Sequence, residues 1–359
     1  MLIMSSFWKI CLFVSLLTLV GCGEFDYYLQ SVEGQLEVMR KSREISEILT
    51  DPECPPELRQ QLTEVLKVRE YASSSLHLPE NGSYRSYADL GRPYVVWNVV
   101  ATPEFSLTPL TWCFPIAGCV PYRGYFDKQK AIDFADGLKR EKRDTLVYGV
   151  VAYSTLSWFD DPVLNTFTGK SQTFLAALIF HELAHQQAYL PGEAAFNESF
   201  AKTVELEGVR RWLADQGDET AVEAYNRWQL LNNEFFAIAR RYQGQLDSLY
   251  QGPMTEDEKR IEKISILETF KAEVAQLSKN NGNLRSFDNW LQPSLNNARF
   301  SSLNTYHEMV PAFQNLLDNS AGDLQVFYAQ VAAIAKESPE KRASIMARLK
   351  QNRTASLHP

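Results

Sequence analysis

Two hydrophobic spacings divide the chain unevenly. Within the segment from Glu24 to about Lys67, "YYLQSVEGQLEVMRKSREISEIL" repeats apolar residues every three or four positions, and Asp51 and the Pro55–Pro56 pair punctuate it. That period paints one face of a helix, so two helices are predicted here. Residues 71–93 are rich in Ser, Tyr, Gly and Asn and read as loop. Segments 93–107 ("PYVVWNVVATPEFSL") and 145–159 ("TLVYGVVAYSTLSWF") carry the densest β-branched and aromatic runs, which predicts strands of one small sheet. An aromatic loop and a helix lie between them, and after Thr173 helical spacing runs to the end, broken at 215–218, 252–253, 280–283 and 319–322. The expected fold class is α+β and predominantly helical: a core with N-terminal helices and the sheet over roughly 22–210, and a helical C-terminal part over 211–359, within one domain spanning 22–359.

Ahead of these elements, Lys9 precedes the apolar run "ICLFVSLLTLV" (Ile10–Val20), closed by "LVGC" (Leu19–Cys22). The run is short for a membrane span and has the proportions of a signal peptide. Small residues before a cysteine resemble the bacterial lipoprotein lipobox. That resemblance implies removal of residues 1–21, lipidation of the Cys22 thiol and a mature domain facing the periplasm; Gly23 in place of Asp after the cysteine favours the outer membrane. With Cys11 in the leader and Cys22 carrying lipid, Cys54, Cys113 and Cys119 remain. An oxidising compartment permits one bridge, and Cys113–Cys119 is the expected pair because Pro115 and Gly118 let "CFPIAGC" turn. Neither cysteine pair has the CxxC spacing of a thiolate zinc site.

Composition changes this picture little. The chain has 359 residues, 45% hydrophobic and 22% charged, ordinary for a globular protein with a sizeable core. A formal net charge of -8 and a pI near 5.3, with no stretch basic enough to follow a phosphate backbone, exclude nucleic acid as a partner.

The chemistry is concentrated in "SQTFLAALIFHELAHQQAYL" (171–190), which has no Pro or Gly and is nearly all apolar before its histidines, so it predicts a buried helix. His181 and His185 then lie one turn apart on the same side, able to converge on one ion at about 2.0–2.1 Å. Glu182 is turned about 100° away and flanks the ion. A carboxylate there can take a proton from the attacking water and pass it to a leaving amine, which is the logic of the HExxH zinc hydrolases. Lone histidines on apolar faces are usually core residues; two at ligand spacing with a glutamate between would need their burial compensated. A catalytic zinc needs a third protein ligand. The next segment, "PGEAAFNESFAKTVELEGVRRWL" (191–213), offers Glu193, Glu198, Glu205 and Glu207 but no His or Asp.

"HELAHQ" followed by "NESFA" (Asn197–Ala201) resembles the gluzincin peptidases and is similar to the "HELAHQ…NEGFA" signature of zinc aminopeptidases. Together with the lipobox start, "YYLQSVEGQL", "VVAYSTLSWFDDPVLNT" and "NNARF…TYHEMVPAF", it resembles a family of bacterial aminopeptidase lipoproteins over most of the chain. The resemblance implies a zincin-like helix beside a small sheet, one zinc per chain held by His181, His185 and Glu198, and Glu182 as general base. Two departures stand out. Only twelve residues separate His185 from Glu198, which requires a tight connection without an inserted helix. Lys202 occupies the position where the thermolysin pattern has an Asp that orients a histidine, leaving Glu205 to orient one or to act as an alternative ligand.

An extended substrate in zincins aligns with an edge strand; residues 149–159 are the candidate, with Tyr153 contacting substrate, and a central core strand is the alternative. Candidates for the oxyanion donor are Tyr306 first, then His307, Tyr122 and Tyr125. Asn296 and Asn297 are candidates for gripping peptide backbone, and Glu193, Asp160 and Asp161 for the α-amine. The expected function is a zinc-dependent peptidase, an aminopeptidase, acting on peptides in the bacterial envelope. The rival is a noncatalytic zinc-binding or scaffold lipoprotein.

Overall fold

The computed structural model describes residues 22–356 except 115–117, 157, 283–284, 293 and 308, and omits the side chains of 22–24, 285–286, 304–307 and 352–356. The N-terminal layer holds three helices, not two: α1 (Cys22–Lys41), the short α2 (Ile45–Thr50) and α3 (Pro56–Ser74). Pro56 starts α3 at a position where a missing N–H is harmless. Strand β1 (Ser42–Glu44) separates α1 from α2 and pairs antiparallel with β2 (Ser86–Ala88), which runs parallel to β8 (Val163–Leu164). The expected loop over 71–93 therefore contains the end of α3 and a strand. Three-residue strands are too short to print a period of two on the sequence.

The main sheet joins β3 (Val96–Pro103), β6 (Arg123–Tyr125) and β7 (Arg143–Val150) in the order β6-β3-β7, all antiparallel. Val96 faces Val150, and Asn98 faces Tyr148 on one side and Gly124 on the other. Alternation sends Val99 and Tyr125 against Ala131 and Ala135 of α4 (Lys128–Arg140), and turns Val96, Asn98, Gly124, Tyr148 and Val150 to the opposite face. The β7 strand stops at Val150, short of the expected Phe159. Beyond it the Asp161 carboxylate accepts the Thr155 N–H at 3.0 Å, and Thr166 donates to the Val151 carbonyl at 2.5 Å; these partners replace the ladder. The aromatic loop contains a hairpin, β4 (Trp112–Phe114) and β5 (Gly118–Val120), in which Cys113 and Cys119 are direct partners joined by a disulfide.

The rest is helical: α5 (Asn165–Thr168), α6 (Gln172–Gln187), α7 (Ala194–Asp215), α8 (Glu219–Gln251), α9 (Glu256–Asn280), a 3-10 turn (Arg285–Trp290), α10 (Asn297–His307), α11 (Val310–Asn319), α12 (Leu324–Ala335) and α13 (Pro339–Ser356). The molecule is thus a mostly helical α+β structure with small sheets. One apolar core runs through α3, α6, α7, α11 and α12, with Phe180, Phe196, Phe200, Phe313 and Phe327 fully buried at its centre. A second gathers Phe235, Phe270 and Phe300 from α8, α9 and α10. The first core fixes the two helices that carry the site.

Candidate metal centre

Helix α6 starts at Ser171, whose hydroxyl accepts the Phe174 N–H. From Leu175 to His185 it is buried on almost every side, as an uninterrupted apolar run should be. Helix α7 lies close against it because Gly208 has no side chain: a Cβ there would meet the Phe180 ring at 2.7 Å and Leu76 at 2.8 Å. The connection is the short segment 188–193. Gly192 takes φ +82° in it, a left-handed turn. Asn197, at 1% exposure, clamps that turn to α7, accepting the Leu190 N–H at 2.8 Å and donating to the Leu190 carbonyl at 2.7 Å. The sequence reading gave Asn197 no role; a polar residue one position before the candidate ligand was the available signal.

The turn brings His181, His185 and Glu198 together. Glu198 reaches both imidazoles, with Oε2 3.2 Å from His181 Nε2 and Oε1 3.7 Å from His185 Nε2. The three ligand atoms lie within 4.8 Å of one another. Two nitrogens and a carboxylate oxygen converging in a buried site suit a divalent cation such as zinc, so the residues fit the ion that the sequence implied. Glu207, in contrast, binds Arg210 and Arg211 at 2.7 Å. Glu193 binds Arg342 at 2.6 Å.

Glu205 approaches His181 from behind, its Oε2 3.2 Å from Nδ1, and its other oxygen takes Lys202 at 2.5 Å. Glu205 therefore orients a histidine and leaves Nε2 to the centre. Lys202, unexpected beside a metal site, neutralises this carboxylate. Burial opposes charge on Glu205, yet Lys202 and His181 together hold its carboxyl down at about 2. Burial likewise opposes protonation of His181, but hydrogen bonds to Glu198 and Glu205 raise it to about 10. Burial lowers His185 to about 4 against the pull of Glu198. Glu182 is pushed up by burial to about 7, opposed by the His181 charge. That value suits a group that must both accept and release a proton near neutral pH.

The site opens into a cleft of about 650 Å³ between α6 and the face of the sheet that carries Val96, Asn98, Gly124, Tyr148 and Val150. His181, Glu182, His185 and Glu198 form one wall, and Glu182 and Glu198 are the only carboxylates among the described lining residues. The β7 strand is an edge strand, and its Tyr148–Val150 end reaches the cleft. Tyr153 also lines the cleft, as part of an irregular segment and not of a strand, and its hydroxyl donates to Gln35.

Of the four oxyanion-donor candidates, Tyr122 lies in the cleft wall, and burial first and the Glu198 charge second raise its hydroxyl well above the usual tyrosine range. Tyr125 is buried against Tyr27 and Phe134. The side chains of Tyr306 and His307 lie outside the described residues. Asn296 and Asn297 do not reach substrate space: Asn296 donates to the Thr145 carbonyl at 2.9 Å, and fully buried Asn297 donates to the Glu104 carbonyl at 2.9 Å. Asp160 is exposed. Asp161 is buried and held by Thr155 and Gln186.

Among curated proteins and among solved structures, nothing matches this chain. One family model does, described as "Putative aminopeptidase", and it matches residues 26–346. That span takes in the N-terminal helix, the sheet, both helices of the candidate centre and the C-terminal helices, and the chain therefore belongs to this aminopeptidase family.

Proposed function

We propose that the protein is a zinc-dependent aminopeptidase, lipid-anchored at Cys22 and acting on peptides in the bacterial envelope. The observation that carries the reading is the convergence of His181, His185 and Glu198 beside Glu182 in a cleft bordered by the edge strand β7. Those three residues would hold one zinc ion, which when bound supplies Lewis acidity to water and to the scissile carbonyl.

The remaining chemistry belongs to the chain. An extended peptide lies between α6 and the end of β7, aligned by strand-like hydrogen bonds. Glu182 accepts the proton of the attacking water and returns it to the leaving amine. Tyr122, kept protonated by its surroundings, donates to the oxygen on which charge develops. Glu205 holds the His181 ring in orientation from the far nitrogen.

The test compares aminoacyl amides and short peptides, each with a free and an acetylated N-terminus, as substrates of the zinc-loaded full chain. Free-amine substrates should be cleaved, and Glu182→Gln should slow turnover by about 10²–10⁴-fold while retaining bound zinc. Absence of any hydrolysis above that of Glu182→Gln ends the enzymatic reading; equal cleavage of acetylated peptides ends the aminopeptidase part of it.

A further inference from the structure

The N-terminal helix has a buried face and, opposite it, an exposed apolar one. On α1 the buried positions are Tyr27, Gln30, Gly34 and Val38, whereas Phe25, Tyr28, Leu29, Val32, Leu36 and Met39 are between 41% and 63% exposed. At 3.6 residues per turn these six fall within an arc of about 100° and run for about 20 Å along the axis. The inward face is firmly seated. Gln30 accepts the Phe126 N–H at 2.9 Å, Gln35 accepts the Tyr153 hydroxyl, and Gly34 lies flat on the Phe126 ring. The exposed stripe is thus a fixed surface of the folded molecule, and a continuous apolar patch of this kind marks a site of interaction.

We propose that α1 lies in the interface of a lipid bilayer with this stripe immersed in the boundary between headgroups and acyl chains. The inference rests on the envelope-anchor reading of the N-terminus. The apolar run Ile10–Val20 ends two residues before α1 begins at Cys22. Whether that cysteine carries lipid or the run stays in place, the chain leaves the membrane at the first residue of the helix. Phe25 follows within one turn. Among the described residues, no helix is long and apolar enough to cross a membrane; the apolar positions of α1 run along one side from Phe25 to Met39, the arrangement of a helix that lies in the plane of the interface. Asp26, Glu33 and Arg40 border one side of the stripe, mixing both signs; immersion of apolar area holds the helix, and attraction to anionic lipid adds little. The cleft follows, because Tyr27 and Ser31 of the same helix line it. Tyr27 and Ser31 lie on the inward side of α1, so the stripe and the cleft occupy opposite sides of one helix, about 10–12 Å across.

The test reads nitroxide labels on cysteines placed one at a time at Phe25, Leu29, Val32 and Leu36 of the full chain in a Cys54→Ala background, with Glu223 on α8 as an exposed control and with the Cys54→Ala parent labelled in parallel so that any signal from Cys11 or Cys22 is subtracted. Oxygen and a water-soluble nickel chelate serve as relaxing agents, on chain recovered with membranes and in neutral phosphatidylcholine vesicles. Immersion predicts strong relaxation by oxygen and loss of relaxation by nickel at the four positions, unchanged by high salt, while Glu223 stays open to nickel. Labels at the four positions that remain open to nickel overturn the inference. Shielding from both agents overturns it too, in favour of a second protein surface. Recovery of the chain in soluble form would defeat the anchor reading separately; the same labels are then read after vesicles are added, and nickel access overturns the interfacial helix on its own.

Discussion

Asp161 and Glu182 show how one physical cause gives neighbouring carboxyls separate tasks. Burial raises both, Glu182 to about 7 and Asp161 to about 6. Glu182 faces the cleft, whereas Asp161 is turned inward to Thr155, Ser154 and Gln186 and holds the segment beyond β7. A folded-state value above the ordinary 3.8 means the fold prefers protonated Asp161. The resulting stability is complete below pH 3.8 and is lost as pH rises through about 6. Relative to Asp161→Asn, the native chain should therefore lose up to roughly 3 kcal/mol between about pH 4 and pH 7. Thermal unfolding of the two proteins across that range measures it, and parallel curves would contradict it. Of the candidate centre, His181, Glu182 and His185 were legible because the spacing within one helix is local. Glu205 was legible only as one of two alternatives, because its contact with the far side of His181 depends on how closely α7 approaches α6.

At the scale of elements, the centre is a helix, a six-residue turn and a second helix, and the turn has an external support. The first residue of β5 rests on it: a Cβ on Gly118, which has φ +74°, would meet the Gly192 nitrogen at 2.4 Å. Gly118→Ala should therefore cost about 1–2 kcal/mol from the left-handed backbone alone. It should also push the hairpin off the turn, weakening zinc retention against a chelator. Gly137→Ala is the matched control, since a Cβ in the middle of α4 meets nothing nearer than 3.8 Å; it should stabilise by about 0.5–1 kcal/mol and leave zinc binding alone. If both variants retain zinc alike, the hairpin does not support the centre. The sequence contained the glycines and cysteines of this device. That Gly118 meets Gly192 in the turn between α6 and α7 is a contact between residues more than seventy positions apart, which no periodicity records.

At the scale of the whole molecule, the helical hairpin α8–α9 with its own core is tied to the sheet by a buried ion pair. Lys263 on α9 reaches Asp144 at the start of β7 at 2.5 Å and the Glu104 carbonyl at 2.9 Å. Lys263→Ala leaves Asp144 without its cation and should cost on the order of 3 kcal/mol. Denaturant unfolding measures this, and a loss below about 1 kcal/mol would show that the pair is dispensable. By itself the sequence determined the helical majority, the two main strand regions, the buried α6 and the HExxH set, because each follows from spacing or composition within a few turns of chain. The resemblance already points to Glu198; tertiary structure alone decided where β7 ends, that Glu205 stands behind His181, that Asn296 and Asn297 are structural, and that α1 carries an apolar stripe outward. Each of these depends on which distant backbone group or surface supplies the partner for a polar or apolar face, and that partner is fixed only when the elements come together.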